Sequence, residues 1–284
     1  MVLLFVMAGI GPEIYGADPG QIHREFVGAP QAPDLKLPFL LGTDAQGRDM
    51  LARLLAGARI SLAVGVVSCI INLLIGMNIG LIAGWAHSTE TRLGSAVDTV
   101  LMRFVDILYS IPLLLVVVML QLFVRPPLEA LVGGRENVPL LLSPDLVSIY
   151  VALGVTNWLT MARLTRGEAI GQARMEYVMA AKALGQKNRW IMLRHILPNC
   201  LGPLAVAATL AIPDAIFVES FLAFVGIGVS APQASWGTMA SDGLQWLAIT
   251  PHQLILPAIF ISITMLAFNL FGDGLRDALD PSKK

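Results

Sequence analysis

The segment "EYVMAAKALGQKNRWIMLRHILPN" (residues 176–199) breaks the character of the chain around it. Lys182, Lys187, Arg189 and Arg194, with Arg174 just before, share it with a cluster of small residues, while nearly everything on either side is apolar. Tyr177, Ala180, Ala181 and Leu184 fall at i, i+3, i+4 and i+7, so residues 176–184 read as a short helix with one shallow, mostly small-residue face. Gly185 follows as a stop signal of the C-cap kind. Asn188 is placed to cap a second helix through Trp190, Leu193 and Leu197, and Pro198 marks entry to the next apolar stretch. A helix–turn–helix this short and polar does not cross a bilayer. Its face suits either docking into a groove on another protein or resting on anionic lipid headgroups.

The surrounding composition defines the solvent. The 284 residues are 56% hydrophobic and 14% charged, with a mean hydropathy of +0.71, whereas a soluble domain carries about 25% charged residues. Residues 60–85, 107–124, 146–162, 195–213 and 243–272 contain no Asp, Glu, Lys or Arg. A hydrocarbon layer of about 30 Å takes roughly 20 helical residues, so these runs are transmembrane candidates. They are helices because an unpaired backbone cannot sit in lipid and no barrel-like alternation is present. The chain is a polytopic, all-α membrane protein read as one domain over 1–284. The apolar start "MVLLFVMAGIG" (1–11) is about half a span long and lacks the basic leading region and cleavage site of a signal peptide. It reads as a first helix whose beginning is missing, giving about six spans; a stub dipping into the bilayer is the alternative.

Charge sets the orientation. The interval 163–194 holds Arg163, Arg166, Arg174, Lys182, Lys187, Arg189 and Arg194, and the tail adds Arg276, Lys283 and Lys284. The segment 12–50 holds Arg24, Lys36 and Arg48 against six acidic residues, 125–145 holds Arg125 and Arg135, and 230–252 has no Lys or Arg. The positive-inside rule puts 163–197 and the C-terminus in the cytoplasm and the loops 12–50, 125–145 and 230–252 outside. A net charge of −1 gives no indication of a nucleic-acid partner. Cys69 and Cys200 lie in apolar runs and read as packing residues. His23, His87, His195 and His252 show no metal-ligand spacing. No GxxxxGK[ST] phosphate loop occurs, so any ATP must be bound elsewhere.

Gly76, Gly80 and Gly84 recur every four residues on one helix face, a spacing that lets a neighbour approach closely or arises by chance in a Gly-rich chain. Pro213 and Pro257 are expected to bend their helices. Ionisable groups inside spans cost roughly 2.5–3.5 kcal/mol each on insertion scales. Asp214 and Glu219 therefore read either as lining a water-filled pathway or as hydrogen-bonding to a partner. Asp98, Arg103 and Asp106 enter the third span, where Arg103 and Asp106, three apart, are expected to pair. Asn72, Asn78, Asn157 and Asn269 read as interhelical hydrogen-bonding residues. Asp44, Arg48 and Asp49 either shape an external docking surface or cap the helix beginning near Met50.

"AAKALG" followed by "HILPN" resembles the cytoplasmic EAA loop of permease subunits of bacterial ABC importers. The resemblance implies that the loop is a coupling helix seated in a cleft of an ATPase subunit. Ala180, Ala181 and Gly185 match the motif's small residues, and Leu197 and Pro198 its closing pair. Met179 stands where the motif has glutamate, and His195 with Ile196 gives "HILP" rather than an isoleucine two before the leucine. Glu176 and the HILPN ending resemble the dipeptide/oligopeptide branch. So do "LGTDAQGRDMLARLLAGARISL" (41–62), "SWGTMASDG" (235–243) and "NLFGDGLRDALDP" (269–281). The similarity runs from about residue 40 to 281.

That resemblance implies a bacterial inner-membrane permease that carries no catalytic residue and no metal. ATP and magnesium would sit on two cytoplasmic ATPase subunits, beside a second homologous permease and an extracytoplasmic binding protein. The coupling set would be Glu176, Tyr177, Ala180, Ala181, Leu184, Gly185, His195, Leu197 and Pro198; the pathway candidates are Asp214 and Glu219. A di- or oligopeptide is the default cargo, with nickel or another small solute as alternatives. An ion-coupled secondary transporter using Asp214 and Glu219 is the second class. An intramembrane enzyme is disfavoured, because no span pairs a nucleophile with a base; Ser220 and Glu219 are adjacent and do not face each other.

Overall fold

The computed structural model describes residues 1–34, 39–132, 138–231 and 233–279. Lys36, Arg135, Lys283 and Lys284 of the charge count, and residues 280–281 of the C-terminal motif, lie outside the described residues. The described chain is helical: α1 (Val2–Tyr15), α2 (Met50–His87), α3 (Arg92–Ser110), α4 (Leu113–Val132), α5 (Pro144–Ala173), α6 (Glu176–Ala183), α7 (Asn188–Ile191), α8 (Leu197–Phe224), α9 (Trp236–Leu244) and α10 (His252–Leu279). A π-helical turn, Met192–Ile196, joins α7 to α8. Two isolated antiparallel bridges, Val27 with Gln46 and Thr43 with Asp49, are the β-type pairings among the described residues.

Among the described residues, five helices are long and apolar enough to cross a membrane: Met50–His87, Leu114–Val132, Pro144–Ala173, Asn188–Phe224 and His252–Leu279. Val2–Tyr15 is a shorter apolar helix. At 1.5 Å per residue, the 38 residues of α2 extend roughly 57 Å, well beyond the hydrocarbon layer. Pro213 and Pro257 lie within continuous helices.

Three intervals differ from the sequence expectation. The uncharged run 107–124 is not one span: α3 ends at Ser110, Ile111 is extended at φ −83° and ψ 132°, and a new helix follows Pro112. Proline's ring disfavours helical geometry at the residue before it, which accounts for the extended Ile111. The interval 125–145 opens as helix, since α4 runs through Pro126 and Pro127 to Val132. The interval 163–194 likewise opens as helix, with Arg163 and Arg166 on α5.

The chain divides into two compact units. The first gathers Met1–Val66, Leu120–Tyr150 and Ile212–Asn269. Its core stacks Met50, Leu54, Ala58 and Leu62, one face of α2 at four-residue spacing, against Ile216, Trp236, Met239 and Phe268. Trp236 is fully buried; its indole Nε1 donates to the Leu54 carbonyl at 3.0 Å and its backbone N–H to Ser61 Oγ at 3.2 Å. Ser235 and Thr238 form a capping box that starts α9.

The second unit gathers Val67–Met119, Val151–Ala211 and the chain from Leu270. Here the glycine ladder packs on α5. A Cβ at Gly76, Gly80 or Gly84 would come within 3.0 Å of Met161 and Trp158, of Ala162 and Thr165, or of Ala169 and Arg166 respectively. Close approach, not chance, explains the spacing. Beside it, Val105 of α3 packs with Trp158, Leu159 and Ala162 of α5.

Candidate functional site

The basic segment folds as two short helices meeting at a glycine. α6 closes in a Schellman motif: the Gln186 N–H donates to the Ala181 carbonyl at 3.2 Å and the Gly185 N–H to the Lys182 carbonyl at 3.0 Å. Gly185 sits at φ 74°, and a Cβ there would meet nothing within 4 Å. The residue is glycine for its left-handed backbone and not for packing. Asn188 does not cap α7. The capping position is Lys187, with no side-chain cap bond, and Asn188 is the first helical residue.

The exposed and buried faces of α6 are clear. Val178 and Ala181 are buried, as are Ile191, Ile196 and Cys200 farther on. Tyr177, Ala180 and Leu184 point outward, Leu184 being 82% exposed. The small-residue set read as one face therefore splits, with Ala181 facing its own chain and the other three open. Glu176, Met179 and Pro198 are also exposed, while His195 and Leu197 are half-buried.

Side-chain contacts hold the two helices together. Tyr177 OH donates to Gln172 Oε1 at 2.6 Å, and its ring lies 6.5 Å from that of His195. His195 Nε2 is 3.0 Å from Gln186 Oε1, which spans the glycine turn. Asn199 Nδ2 donates to the His195 carbonyl at 2.6 Å. Lys182 Nζ stacks over the Trp85 ring at 4.9 Å. Partial burial, and then the neighbouring Cys200, push the Tyr177 phenol above its ordinary value, so it remains a neutral donor at physiological pH.

Ion pairs join α3 and α5 in the same unit. Asp98 accepts both Nε and Nη2 of Arg166, at 2.6 and 2.7 Å, and lies 2.9 Å from His87 Nδ1. Asp106 pairs with Arg163 at 2.8 Å, and that guanidinium covers the Tyr109 ring at 4.2 Å. The expected Arg103–Asp106 pair does not form. Arg103, three residues away on the same helix, is exposed, and the interhelical Arg163 reaches Asp106 instead.

Asp214 and Glu219 have opposite environments. Asp214 is exposed, whereas Glu219 is fully buried. Its carboxyl lies near the hydroxyls of Ser61, Ser220 and Ser235, and neither oxygen closes a well-formed hydrogen bond.

The motif at 41–62 folds around a buried carboxylate. Asp44 accepts the backbone N–H groups of Gln46 and Arg48 at 2.9 and 2.8 Å, Arg48 Nε at 2.8 Å, and Arg53 Nη1. Asp49 caps α2 through the Leu51 N–H at 2.8 Å and accepts Tyr15 OH at 2.6 Å. Capping is thus the role of Asp49, while Asp44 and Arg48 set the turn. A polar cavity of about 260 Å³ opens alongside, lined among others by Arg53, Arg125, Ser230, Gln233 and Asp242.

The residues that sequence reading missed are Val178, Trp85 and the Asp98–Arg166 pair. Val178, a bulky apolar residue within the small-residue cluster, was the available signal for which side of α6 faces inward.

Residues 76–284 match the family described as "Binding-protein-dependent transport system inner membrane component". The dipeptide transport system permease protein DppC of Bacillus subtilis (strain 168) is 42% identical over 283 residues, covering 99% of this chain and 79% of that protein. The oligopeptide transport system permease protein OppC of the same organism is 40% identical, covering 99% of this chain and 83% of that protein. The OppC of Escherichia coli (strain K12) is 38% identical, covering 89% and 76%. Among solved structures, an inward-facing conformation of the MetNI methionine ABC transporter matches with a TM-score of 0.61 at 18% identity, covering 79% of this chain and 94% of that chain. An amino acid ABC transporter with histidines matches at a TM-score of 0.53 and 15% identity, covering 80% and 92%.

Proposed function

This chain belongs to the binding-protein-dependent transport system inner membrane component family, and from that premise we propose that it is the permease through which di- or oligopeptides enter the cell. The peptide cargo rests on the peptide-transport relatives that span nearly the whole chain. On this reading the basic loop and C-terminus face the cytoplasm, in keeping with the positive-inside bias. The chain performs no chemistry; two ATPase subunits supply ATP hydrolysis and a second permease completes the pathway. The reading of 1–284 as one transmembrane domain belongs to the same proposal.

The observation that carries the coupling role is the exposed face formed by Tyr177 and Ala180 of α6 with Leu184 at its C-cap, ahead of Gly185. Small and apolar side chains there leave room for a groove to close over the helix. Val178 and Ala181 anchor the other side to the chain, and α6 packs on α7 and the π turn, so force on α6 passes through them toward α8. ATP-driven closure of the ATPase pair would then switch the permeases between two rigid-body states. Within this scheme Glu219 is enclosed away from the pathway and Asp214 remains the pathway candidate, because only Asp214 is accessible.

Affinity purification of the chain expressed with its partner genes tests the assignment. ATPase subunits travel with the wild type and are lost from Gly185→Val. Reconstituted with its binding protein, the complex takes up a labelled dipeptide only with ATP. Uptake of nickel instead of peptide changes the cargo and keeps the machinery. Uptake that follows an ion gradient without an ATPase overturns both.

A further inference from the structure

Beyond the coupling face, α7 and the π turn carry a second surface. Lys187, Arg189, Trp190, Leu193 and Arg194 are all exposed, Trp190 by 58%, while Ile191 and Ile196 on the opposite side are fully buried. None of these three cations has an ion-pair partner among the described residues, unlike Arg163 and Arg166, and none is stacked on a ring as Lys182 is on Trp85. Over 174–194 the only acidic residue is Glu176. The surface is therefore basic, aromatic and unneutralised.

Its depth is set by the helix it belongs to. α7, the π turn and α8 run on continuously from Asn188, and the uncharged stretch begins at 195. At 1.5 Å per residue, Arg194 lies about 3 Å and Trp190 about 9 Å before Ile196. The polar headgroup layer on each side of the hydrocarbon is about 5–8 Å thick. Arg194 thus falls within that layer, where cations meet phosphate oxygens, and Trp190 lies at its water-facing edge, close enough for an indole side chain to reach it. α6, with one cation and a small-residue face, has neither feature.

We propose that Lys187, Arg189, Trp190 and Arg194 form a binding surface for anionic phospholipid headgroups, seating the loop on the bilayer and leaving α6 free for its protein partner. The three cations neutralise lipid phosphates while the Trp190 ring packs against the headgroup layer. Each basic residue at an anionic surface brings a roughly fivefold gain in partition.

Quenching of Trp190 by bromine tests this. The full chain is co-purified with its ATPase partners and placed in nanodiscs of phosphatidylcholine with phosphatidylglycerol, with bromine at the carbonyl end of the acyl chains of one lipid or the other, next to the headgroup layer. The Trp190 signal is taken as the difference between wild type and Trp190→Phe. We expect brominated phosphatidylglycerol to quench it at least twofold more than phosphatidylcholine at equal mole fraction. The preference disappears in K187Q/R189Q/R194Q and persists in the charge-conserving K187R/R189K/R194K, which also controls for folding. Equal quenching by both lipids would show contact without headgroup selection and refute the proposal. Absence of quenching by either would mean that Trp190 does not reach the bilayer, and refutes it too. Recovery of ATPase subunits in the same preparations reports on the coupling role separately.

Discussion

Arg166 holds Asp98 by two edges of one guanidinium, Nε at 2.6 Å and Nη2 at 2.7 Å, and so joins α5 to α3 next to the glycine ladder. The Asp98 side chain is only 8% exposed while Arg166 is 28% exposed, and His87 adds a third contact. Breaking such a partly buried, bidentate pair leaves charge without a partner. Asp98→Asn is expected to lower stability by about 1–3 kcal/mol, the lower part of the range reflecting Arg166's access to solvent. The more exposed Arg163–Asp106 pair should matter less, with Asp106→Asn below about 1 kcal/mol. Thermal unfolding of the two variants in the same detergent gives the order; equal losses would contradict it.

The glycine ladder makes a sharper contrast. A methyl group at Gly80 would run into the backbone of Ala162 and the side chain of Thr165, whereas one at Gly167 would meet nothing within 4 Å. Gly80→Ala is expected to cost about 1–3 kcal/mol by forcing α2 from α5. Gly167→Ala should be neutral or stabilising, by up to about 1 kcal/mol, through helix propensity. Detergent melting temperatures that fall for the first and not the second are the expected result.

Asp44 is the hub of the external turn. It is 4% exposed and faces both Arg48 and Arg53, themselves buried. Asp44→Asn removes the counter-charge from two buried guanidiniums and should destabilise by about 3–5 kcal/mol. Loss of the folded protein from membranes, or rapid proteolysis of residues 41–62, is the measurable outcome. Normal accumulation of the variant would argue against a structural hub.

Gly185 separates backbone from packing. Its φ of 74° disfavours branched side chains, yet the space beside it is open. Gly185→Asn, which tolerates left-handed geometry, should keep most transport, while Gly185→Val should lose most of it. Both variants are expected to stay membrane-inserted, since no contact of the spans changes. ATP-dependent uptake normalised to protein in the membrane distinguishes them.

How far the sequence foreshadowed this architecture depends on whether information was local. Most spans were readable because an uncharged run needs no partner to declare itself, and the four-residue glycine spacing was readable because it records a neighbour's approach. The break at Ile111 was hidden: Pro126, Pro127, Pro213 and Pro257 all lie inside helices, so a proline alone does not announce an interruption. Asp106 was assigned to Arg103 because both lie on one helix, whereas its partner Arg163 is 57 residues away and only tertiary packing brings it near. The small residues of α6 marked a docking helix, but turning Ala181 inward required seeing Val178 as the deeper anchor.

The central claim is that the outer face of α6 meets an ATPase subunit. Cys69 and Cys200 are buried, so single cysteines can be introduced at exposed Leu184 and Ala180 and at buried Ala181. Membranes containing the chain and its co-expressed partners are then treated with a short thiol-to-amine crosslinker. Adducts between the ATPase subunit and Leu184→Cys or Ala180→Cys, with none from Ala181→Cys, are the result this account predicts. A folded chain from which neither exposed position captures an ATPase subunit would contradict it.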